Sequence, residues 1–310
     1  MMHSMNIDLS IIIVNWNTRN LVVNCLRSIF TYSPHYNFEV WVVDNASSDG
    51  SPDMVRKNFP QVKLIKNPAN VGFARANNQA IRQCHGRYIM LLNPDTEVTP
   101  GALETMVGFM EVSQEVGAAG PRLINPDGTL QTSCYPIPTL LREFWRLLHL
   151  DRIKPFGVYP MQEWDQNQPR EVEVIKGACL ILRREALDQT GFLNEDYFIY
   201  SEEVDLCYRL RKSGWKISWL PGATVTHYGG KSTQLVSEEM FLNLYESKVL
   251  FFRKNYSWLQ AFVYKMILTL AAIARLVTAP VAGMVLISQR KRLREIANNY
   301  RRLLIALPRL

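Results

Sequence analysis

In this 310-residue chain, the type and position of Asp95 make it a candidate for a chemical role. It follows the apolar run Tyr88 to Leu92 through a two-residue turn, Asn93-Pro94. Pro94 fixes its own φ and disfavours a helical backbone at Asn93, so the turn is stiff and holds the carboxylate in one direction. The turn therefore aims the Asp95 carboxylate, which raises the question of what this side chain is for.

A second acidic group consists of Glu202, Glu203 and Asp205, and the residues after it place Leu206 and Leu210 on one face. This spacing predicts a helix that begins at Glu202 with acids in its first turn. Acids also occur in a first turn merely because they suit the helix dipole, so their position alone leaves a structural role open.

Four short runs of β-branched, aromatic and aliphatic residues predict the strands that position these groups. Each run is followed by a polar loop and then by a stretch that can be helical, an alternation that is typical of a parallel α/β sheet. The runs are Leu9 to Val14, Phe38 to Val43, Val62 to Ile65 and Tyr88 to Leu92.

The loops that follow these runs are rich in Asn and Asp. In open α/β sheets ligands bind beyond the carboxyl ends of the strands, so the loops form the candidate binding site. Asn and Asp also favour ordinary turns, which is an alternative for each loop taken singly. No loop contains GxGxxG or GxxxxGK[ST], which argues against a dehydrogenase-type dinucleotide fold and against a P-loop enzyme. The loops are Asn15 to Asn17, Asp44 to Gly50, Asn67 to Phe73 and Asn93 to Asp95.

The composition predicts a globular chain in a reducing compartment. Hydrophobic residues make up 47% of it, which supplies the core of one large or two small domains. The five cysteines are scattered and lack a CxxC pair, so neither a disulfide framework nor a zinc site is predicted. The first ten residues, MMHSMNIDLS, lack the basic and apolar regions of a signal peptide, and we expect the N-terminal part to remain in the cytosol.

The net charge of +7 is unevenly distributed. From Lys248 onward there are 12 Lys and Arg residues and one acid, Glu295, which leaves 23 basic and 27 acidic residues before that point. The body therefore carries about −4 and the tail about +11. This division argues against nucleic-acid binding across the fold, and it favours contact between the tail and an anionic surface such as a membrane.

The sequence of the tail predicts helices at that surface. Residues Trp258 to Gln289 are mostly apolar, but Lys265, Arg275 and Pro280 interrupt them, so a clean membrane span is not predicted. Basic and apolar residues then alternate from Arg290 to Leu310, as in an interfacial helix. The alternative is a helical module that joins two copies of the chain in a homodimer and turns its basic face to solvent.

Taken together, eight segments resemble the family 2 glycosyltransferases with the GT-A fold, and among them the rhamnosyltransferase-like members. The resemblance covers roughly residues 9–233 and rests on the order and spacing of the segments. They are SIIIVNWN, VVDNASSDGS, NPANVGFARANN, LLNPDTEV, GPRLINPDGTLQ, KGACLILRREAL, FIYSEEVDLCYRLRKSGWKI and HYGG.

This resemblance implies an α/β fold of the GT-A kind, a mostly parallel sheet flanked by helices. Residues 1–233 would form the glycosyltransferase domain, with a donor half at about 1–120 and an acceptor half at about 121–233. Outside the resemblance, the composition of residues 234–310 predicts a helical, basic segment that associates with the membrane.

The resemblance also implies a metal site. Asp95 is the last acid of a motif that usually contains two Asp residues, and it would bind Mg²⁺ or Mn²⁺ on the donor diphosphate. Such a cation needs one or two protein oxygens and takes the rest of its ligands from phosphate and water. Asn93 replaces the first Asp and would reach the ribose or a metal-bound water. His227 would join the metal ligands, although a histidine after a strand is also often structural.

A nucleotide-diphosphate sugar, with dTDP or UDP as the nucleotide, is the implied donor. Asp44 and the loop behind it, including Asn45, would hold the base and ribose, and Asn15 and Asn17 would line the same pocket. Arg75 would balance the diphosphate charge. The structural alternatives are a helix N-cap for Asp44 and a surface salt bridge for Arg75.

Glu203 stands where the family usually has the Asp that deprotonates the acceptor hydroxyl. Inversion by a single displacement needs one such base and stabilisation of the departing diphosphate. Asp205 would support the site by pairing with Arg209 at i+4.

The sequence therefore predicts a metal-dependent inverting glycosyltransferase. It would transfer one sugar, rhamnose by resemblance, to a lipid-linked or polysaccharide acceptor at the cytoplasmic face of the membrane. The alternatives are a nucleotidyltransferase, which should show a second metal-binding acid and further cations, and a non-catalytic sugar-nucleotide-binding membrane scaffold.

Overall fold

The computed structural model describes residues 7–229, 237–285, 288 and 290–310. Its contacts divide the chain into two compact units. Unit 1 consists of Met1–Ile137, Tyr159–Phe198 and Glu202–Gln234, and unit 2 consists of Pro138–Val158, Ile199–Ser201 and Leu235–Leu310. The predicted boundary after Thr233 lies outside the described residues.

Helices and strands alternate through the first half of unit 1, as predicted. The strands are β1 (Leu9–Asn15), β2 (Phe38–Asp44), β3 (Lys63–Lys66), β4 (Tyr88–Leu92), β5 (Thr96–Val98), β6 (Val116–Ile124), β7 (Cys134–Tyr135), β8 (Arg170–Glu171), β9 (Val174–Ile175), β10 (Cys179–Arg183) and β11 (Lys216–His227). The helices are α1 (Arg19–Thr31), α2 (Ser51–Asn58), α3 (Phe73–Ile81), α4 (Ala102–Val112), α5 (Leu140–Leu147), α6 (Arg184–Thr190), α7 (Glu202–Lys212), α8 (Ser237–Asn255), α9 (Trp258–Val285) and α10 (Arg290–Ala306).

A mixed nine-stranded sheet forms the centre of unit 1. Its order is β3-β2-β1-β4-β10-β6-β11-β5, and β8 pairs with β11 outside this path. The four predicted strands are parallel to one another, and every residue of β1 and β4 is buried, as expected for strands that are covered on both faces. The remaining strands add antiparallel pairs, because β10 runs against both β4 and β6.

The sheet register brings the ends of distant strands together. Asn15 lies opposite Asp44 at the ends of β1 and β2. On the far side of β4, the short strand β5 pairs antiparallel with the end of β11, so that Thr96 lies opposite His227. Two residues that are far apart in sequence, Asp95 and His227, therefore meet at the same edge of the sheet.

Unit 2 is a helical unit built from α5 and the three C-terminal helices. Its core contains a buried polar cluster, in which Glu143 accepts hydrogen bonds from Arg146, Lys248 and Tyr264 at 2.9, 2.9 and 3.0 Å. The apolar residues around that cluster are Leu147, Tyr245, Val249, Phe252, Ala261, Leu268, Ala271, Ala272, Tyr300, Leu303 and Leu307.

Helix α9 is continuous through Lys265 and Arg275, which interrupt the apolar run in the sequence. Among the described residues, one segment, Trp258–Ala279, is long and apolar enough by length and composition to cross a membrane, with a mean hydropathy of 1.6. One face of α9 is bonded to other parts of unit 2. The Tyr264 hydroxyl donates to Glu143, and Arg275 Nη2 donates to the carbonyl of Leu147 at 2.6 Å.

All five cysteines are buried and free, which agrees with the predicted absence of a disulfide framework.

Candidate active site

The turn after β4 is fixed on both sides by hydrogen bonds. The Asn93 amide donates to the carbonyl of Ala178 at 2.9 Å, and the Thr96 hydroxyl donates to the Asn93 carbonyl at 2.7 Å. Asp95 follows this turn and is 4% exposed. The stiff turn that Pro94 predicted is therefore also held by its neighbours, and it leaves the Asp95 carboxylate little freedom.

His227 lies directly beside Asp95. The Tyr228 amide donates to the Asp95 carbonyl at 2.9 Å, and His227 Nε2 lies 3.4 Å from Asp95 Oδ1 with both side chains buried. His227 Nδ1 lies 2.5 Å from Gln131 Oε1, whereas Nε2 makes no hydrogen bond with any described residue. An amide oxygen can only accept, so Nδ1 carries a proton, and in the neutral tautomer that this bond selects the Nε2 lone pair points toward the carboxylate.

This pair of acceptors fits a divalent cation. Within the described residues there is no cluster of three or more His, Cys, Asp or Glu side chains that could hold a metal ion. Mg²⁺ and Mn²⁺ sites that share a diphosphate need only one or two protein ligands, and a neutral imidazole suits Mn²⁺. An Asp95 oxygen and the His227 Nε2 face each other in a buried position and could supply two such ligands.

Asp44 and Asn15 form a buried, fully hydrogen-bonded pair at the end of β1 and β2. Asn15 Nδ2 donates to Asp44 Oδ1 at 2.9 Å, and the Ser47 amide donates to Asp44 Oδ2 at 3.0 Å. The predicted alternative for Asp44, an N-cap of α2, is not what the structure shows, because the N-cap residue of α2 is Gly50. Asp44 is instead held rigidly at the strand end.

Asn17 and Asn45 connect this pair to the neighbouring loops. Asn17 has a left-handed backbone, with φ 53°, and its Oδ1 accepts from the Ser48 amide at 2.8 Å. Asn45 Nδ2 donates to the carbonyl of Gly72 at 3.2 Å. The loops after β1, β2 and β3 are thus tied into one wall at the edge of the sheet.

Gly72 allows this wall to reach the segment before α7. Its φ is +86°, and a Cβ atom built there would lie 2.6 Å from the carbonyl oxygen of Phe198. The next residue, Phe73, donates its amide to that same oxygen at 2.7 Å. The close approach that a glycine permits therefore joins the predicted donor loop to the loop that leads into Glu202 and Glu203.

Arg75 lies on α3 in a surface ion pair. Its Nε is 3.4 Å from Glu195 Oε2, and Glu195 also pairs with Arg82 at 2.6 Å. The Arg75 side chain is 55% exposed. The structure thus places Arg75 in the alternative arrangement, and its contact with a diphosphate stays a prediction.

Glu202 and Glu203 begin helix α7, as predicted. Oε2 of each carboxyl is enclosed and makes no hydrogen bond with any described residue. Burial, and next the neighbouring Glu203, raise the pKa of Glu202 well above its usual range. Burial also raises the pKa of Glu203, while backbone amides at the helix start and the Lys176 ammonium oppose the rise. A carboxylate with a raised pKa is a stronger base, which suits Glu203 to proton abstraction.

Asp205 makes the predicted ion pair with Arg209, with Nε 2.8 Å from Oδ2. The same guanidinium donates to the carbonyls of Thr190 and Phe192 at 2.6 and 2.8 Å, and the Tyr197 hydroxyl donates to Asp205 Oδ1 at 3.4 Å. This network fixes the start of α7 against the loop after α6. Asp205 therefore orients the acidic helix, whereas Oε2 of Glu203 has no hydrogen-bond partner among the described residues.

Sequence reasoning assigned no role to Lys176. Its side chain is half-buried, and burial lowers its pKa against the opposing fields of Asp95 and Glu203. The adjoining residues lie between the two acids: Gly177 borders the Cβ of Glu203, and the Ala178 carbonyl accepts from the Asn93 amide. The segment KGA was among those that carry the family resemblance, and a lysine just before a glycine at the start of a strand was the signal for this position.

The fold and the site together define a glycosyltransferase of the GT-A class. A mixed sheet with flanking helices gathers the acidic turn at Asp95, the Asp44 and Asn15 pair and the buried Glu203 at one edge. Residues 10–191 match the family model described as "Glycosyl transferase family 2". The chain belongs to glycosyl transferase family 2, for which an inverting mechanism is typical.

Curated relatives and solved structures agree with this assignment. The chain is 32% identical over 213 residues to the N-acetylglucosaminyl-diphospho-decaprenol L-rhamnosyltransferase of Mycobacterium tuberculosis, which covers 63% of this chain and 67% of that protein. It is 27% identical over 215 residues to the low-salt glycan biosynthesis hexosyltransferase Agl10 of Haloferax volcanii, covering 68% and 64%. The mannosyltransferase PcManGT from Pyrobaculum calidifontis, solved with GDP-Man and Mn²⁺, has the same fold, with a TM-score of 0.58, 19% identity and coverage of 98% and 87%.

Proposed function

We propose that this chain is a metal-dependent inverting rhamnosyltransferase that uses a dTDP- or UDP-linked donor and a lipid-linked or polysaccharide acceptor. The observation that carries the proposal is the buried pair Asp95 and His227, whose facing acceptor atoms lie 3.4 Å apart at the end of β4 in a family 2 chain. Rhamnose and a lipid-diphosphate acceptor are supported by the name of the 32% identical mycobacterial relative.

Asp95 and His227 would hold the cation, and the Asp44 and Asn15 pair would hold the nucleoside. Solved glycosyltransferases of this fold contain Mn²⁺. A bound divalent cation stabilises the negative charge of the departing diphosphate. Asp44 accepts hydrogen bonds from Asn15 at the end of β1 and from the Ser47 amide in its own loop, and these fix its carboxylate for recognition of a base or ribose.

Glu203 would take the proton from the acceptor hydroxyl. Its carboxylate has an enclosed oxygen without a hydrogen-bond partner among the described residues, which leaves it able to accept one from a substrate. Burial, and next the neighbouring Glu203, raise the pKa of Glu202, which favours its neutral form and limits the negative charge beside Glu203. Lys176 interacts electrostatically with both Glu203 and Asp95, and its ammonium group would there stabilise negative charges of the bound substrates.

We also propose that unit 2 binds an anionic membrane at its cytoplasmic face. The face of α9 that is turned away from the unit 2 core carries eight exposed apolar side chains along the helix, and α10 adds exposed basic residues. Exposed apolar and basic groups on adjoining helices are typical of an interfacial surface. The bonds from Tyr264 and Arg275 to the α5 region favour a helix that lies in the interface over one that leaves the unit. The apolar residues are Trp258, Leu259, Phe262, Val263, Met266, Leu270, Ile273 and Val277.

A panel of sugar nucleotides tests the donor and the metal together. We expect dTDP-rhamnose or a UDP-sugar to raise the melting temperature only when Mn²⁺ or Mg²⁺ is present, because a ligand that binds only the native state stabilises it by mass action. Asp95→Asn should abolish this metal-dependent increase. Equal stabilisation of Asp95→Asn and the wild type would show that Asp95 is not the metal ligand, and stabilisation by GDP-sugars alone would show that the donor is wrong.

A further inference from the structure

One segment of the family resemblance, GPRLINPDGTLQ, has no part in the function proposed above. It forms the end of β6 and a tight turn that brings Gln131 back toward the sheet. The backbone N–H of Gln131 donates to the Leu123 carbonyl at 2.8 Å, and the backbone N–H of Asn125 donates to the Thr129 carbonyl at 2.8 Å. The hairpin thereby presents the Gln131 side chain to His227, 96 residues away in sequence.

In each side-chain hydrogen bond of this hairpin, the chemistry of the groups fixes which atom donates and which accepts. The Asp127 carboxylate can only accept, and it accepts from the Thr129 hydroxyl at 2.6 Å. The Thr129 oxygen is then the acceptor for Asn125 Nδ2 at 2.9 Å. Asn125 must turn its Oδ1 the other way, where it accepts from Gln131 Nε2 at 2.8 Å.

The orientation of Asn125 in turn fixes the orientation of the Gln131 side-chain amide beside His227. Its Nε2 donates to Asn125 and also to the His227 carbonyl at 3.3 Å, and these two acceptors fix the orientation of the amide. The amide oxygen therefore faces His227 Nδ1 and can only accept the ring proton there. A neutral imidazole has a single N–H, so Nε2 is left without a proton.

We infer that Gln131, oriented by the chain Asp127, Thr129 and Asn125, is a positioning residue that keeps the unprotonated Nε2 of His227 directed at Asp95. The inference rests on the proposed metal site for its purpose and on the hydrogen-bond directions for its content. Without the Gln131 oxygen, Nε2–H of His227 would donate to the Asp95 carboxylate 3.4 Å away. That hydrogen bond would place a proton where the cation binds.

The tautomer of His227 is the direct test, because it is read without metal or substrate. We would label the full-length protein with ¹⁵N-histidine and record the ring nitrogens at a pH about two units above the ordinary histidine pKa of about 6.5. In the wild type the ring should carry its proton on Nδ1, and in Gln131→Leu it should move to Nε2. A wild-type ring with a proton on Nε2, in either the other tautomer or the imidazolium, overturns the inference.

Binding of Mn²⁺, followed by the electron paramagnetic resonance of the free ion, gives a second readout. Loss of a group that orients a metal-binding histidine typically weakens metal affinity by about 10–100-fold, and we expect Gln131→Leu to lose affinity in that range. The matched control is Gln166→Leu, since Gln166 is also half-buried in unit 1 and donates to two carbonyls, those of Met161 and Trp164. It should leave both readouts unchanged.

The two readouts separate this inference from the metal site itself. If the wild type binds no Mn²⁺ but shows the predicted tautomer, the proposed metal site fails and the role of Gln131 stands. If Asp95→Asn abolishes Mn²⁺ binding while Gln131→Leu changes neither tautomer nor affinity, the role of Gln131 fails and the metal site stands. Thr129→Val, a substitution at an exposed residue, covers the case in which Gln131→Leu does not fold: part of the ring population should shift to Nε2–H, and an unchanged tautomer counts against the chain of bonds.

Discussion

At the scale of single residues, the site is defined by which polar groups have partners and which do not. Asp44, Asn15 and Asp205 are held by several hydrogen bonds, whereas Glu203 has an enclosed oxygen without one among the described residues. An unsatisfied buried carboxylate costs stability, and such groups are expected where a substrate later supplies the partner. This contrast fits the proposed roles, in which Asp44 and Asn15 hold the nucleoside, Asp205 orients α7 and Glu203 takes the proton.

The first prediction is that Glu203→Gln retains donor and metal binding but loses transfer. The amide preserves size and reach, yet it cannot accept the proton of the acceptor hydroxyl. General-base catalysis contributes about 10²–10⁴-fold, so turnover should fall by that factor while donor affinity stays close to that of the wild type. Enzyme assays at saturating donor, with donor affinity measured separately, provide the test.

Two neighbouring acids serve as controls for this variant. Glu202→Gln imitates the neutral form that burial already favours and should retain most of the activity. Asp205→Asn breaks the pair with Arg209 and should lower stability at least as much as turnover. Near-normal transfer by Glu203→Gln, together with loss of transfer in either control, would place the base on another acid of this group.

The second prediction concerns pH. Glu203 must be ionised to act as a base, so the rate falls as the pH drops through its pKa, which burial has raised. The Lys176 ammonium lowers that pKa, and Lys176→Met removes this effect. The acidic limb of the pH–rate profile should therefore move to higher pH in Lys176→Met. Lys216→Met, at an exposed lysine of unit 1 that pairs with Glu115, should not move it; an unchanged limb in both variants would exclude Lys176 from the environment of the base.

At the scale of secondary-structure elements, the sequence predicted the strands β1, β2 and β4 and the loops after them more completely than the contacts around His227. The strands at Leu9, Phe38 and Tyr88 begin where the apolar runs begin, because a fully buried strand leaves a continuous signal. The loops after them follow from the rule that ligands bind at the carboxyl ends of parallel strands. Local sequence was therefore sufficient to predict both these strands and the loops that follow them.

The contacts around His227 could not be predicted in this way. Strand β5 has only three residues, and its antiparallel pairing with β11 joins segments that are more than 120 residues apart. Gln131 reaches His227 only because the NPDGT turn reverses the chain at Gly128, whose φ is +83°. Side-chain hydrogen bonds between such segments depend on tertiary structure, so the motif was visible in the sequence while its partner was not.

The third prediction tests the close contact between Gly72 and Phe198 in unit 1. Gly72→Ala should destabilise the protein, since Gly72 has φ 86° and ψ 167°, a region open almost only to glycine, and the added methyl would approach the Phe198 carbonyl. Backbone strain of this kind costs about 1–3 kcal/mol, and the steric conflict adds to it. Donor binding should weaken as well, because Asn45 donates to the Gly72 carbonyl.

Gly101→Ala is the matched control for this loop. Gly101 also has a positive φ, 76°, but a Cβ atom there meets nothing within 4 Å, so the substitution carries strain without a clash. Thermal or chemical denaturation of the two variants compares them directly. If Gly101→Ala were the more destabilising of the two, close approach to Phe198 would not be the reason for a glycine at position 72.

At the scale of the whole molecule, the chain combines a mildly acidic catalytic unit with a strongly basic helical one. Removal of everything after Trp258 would be a poor test of the tail, because Tyr264, Leu268 and Ala271 belong to the core of unit 2 together with Phe252. Substitutions on the exposed face of α9 keep that core intact. They test the membrane surface with the full chain.

The last prediction is that Phe262→Glu combined with Leu270→Glu prevents the full-length protein from floating with vesicles that contain anionic lipid. Both side chains are more than half exposed and lie eight residues apart along the exposed face of α9. Burying a side chain of this size contributes about 1.5–3 kcal/mol, so loss of two should weaken binding by about 100-fold or more. Wild-type binding should also weaken as salt rises, because salt screens the attraction between the basic tail and the lipid. Val112→Glu, at an apolar position in unit 1 that is even more exposed, should float as the wild type does. If wild-type protein does not float, and the double substitution instead converts a dimer to a monomer in sedimentation, the α9 face joins two copies of the chain and the membrane proposal is wrong.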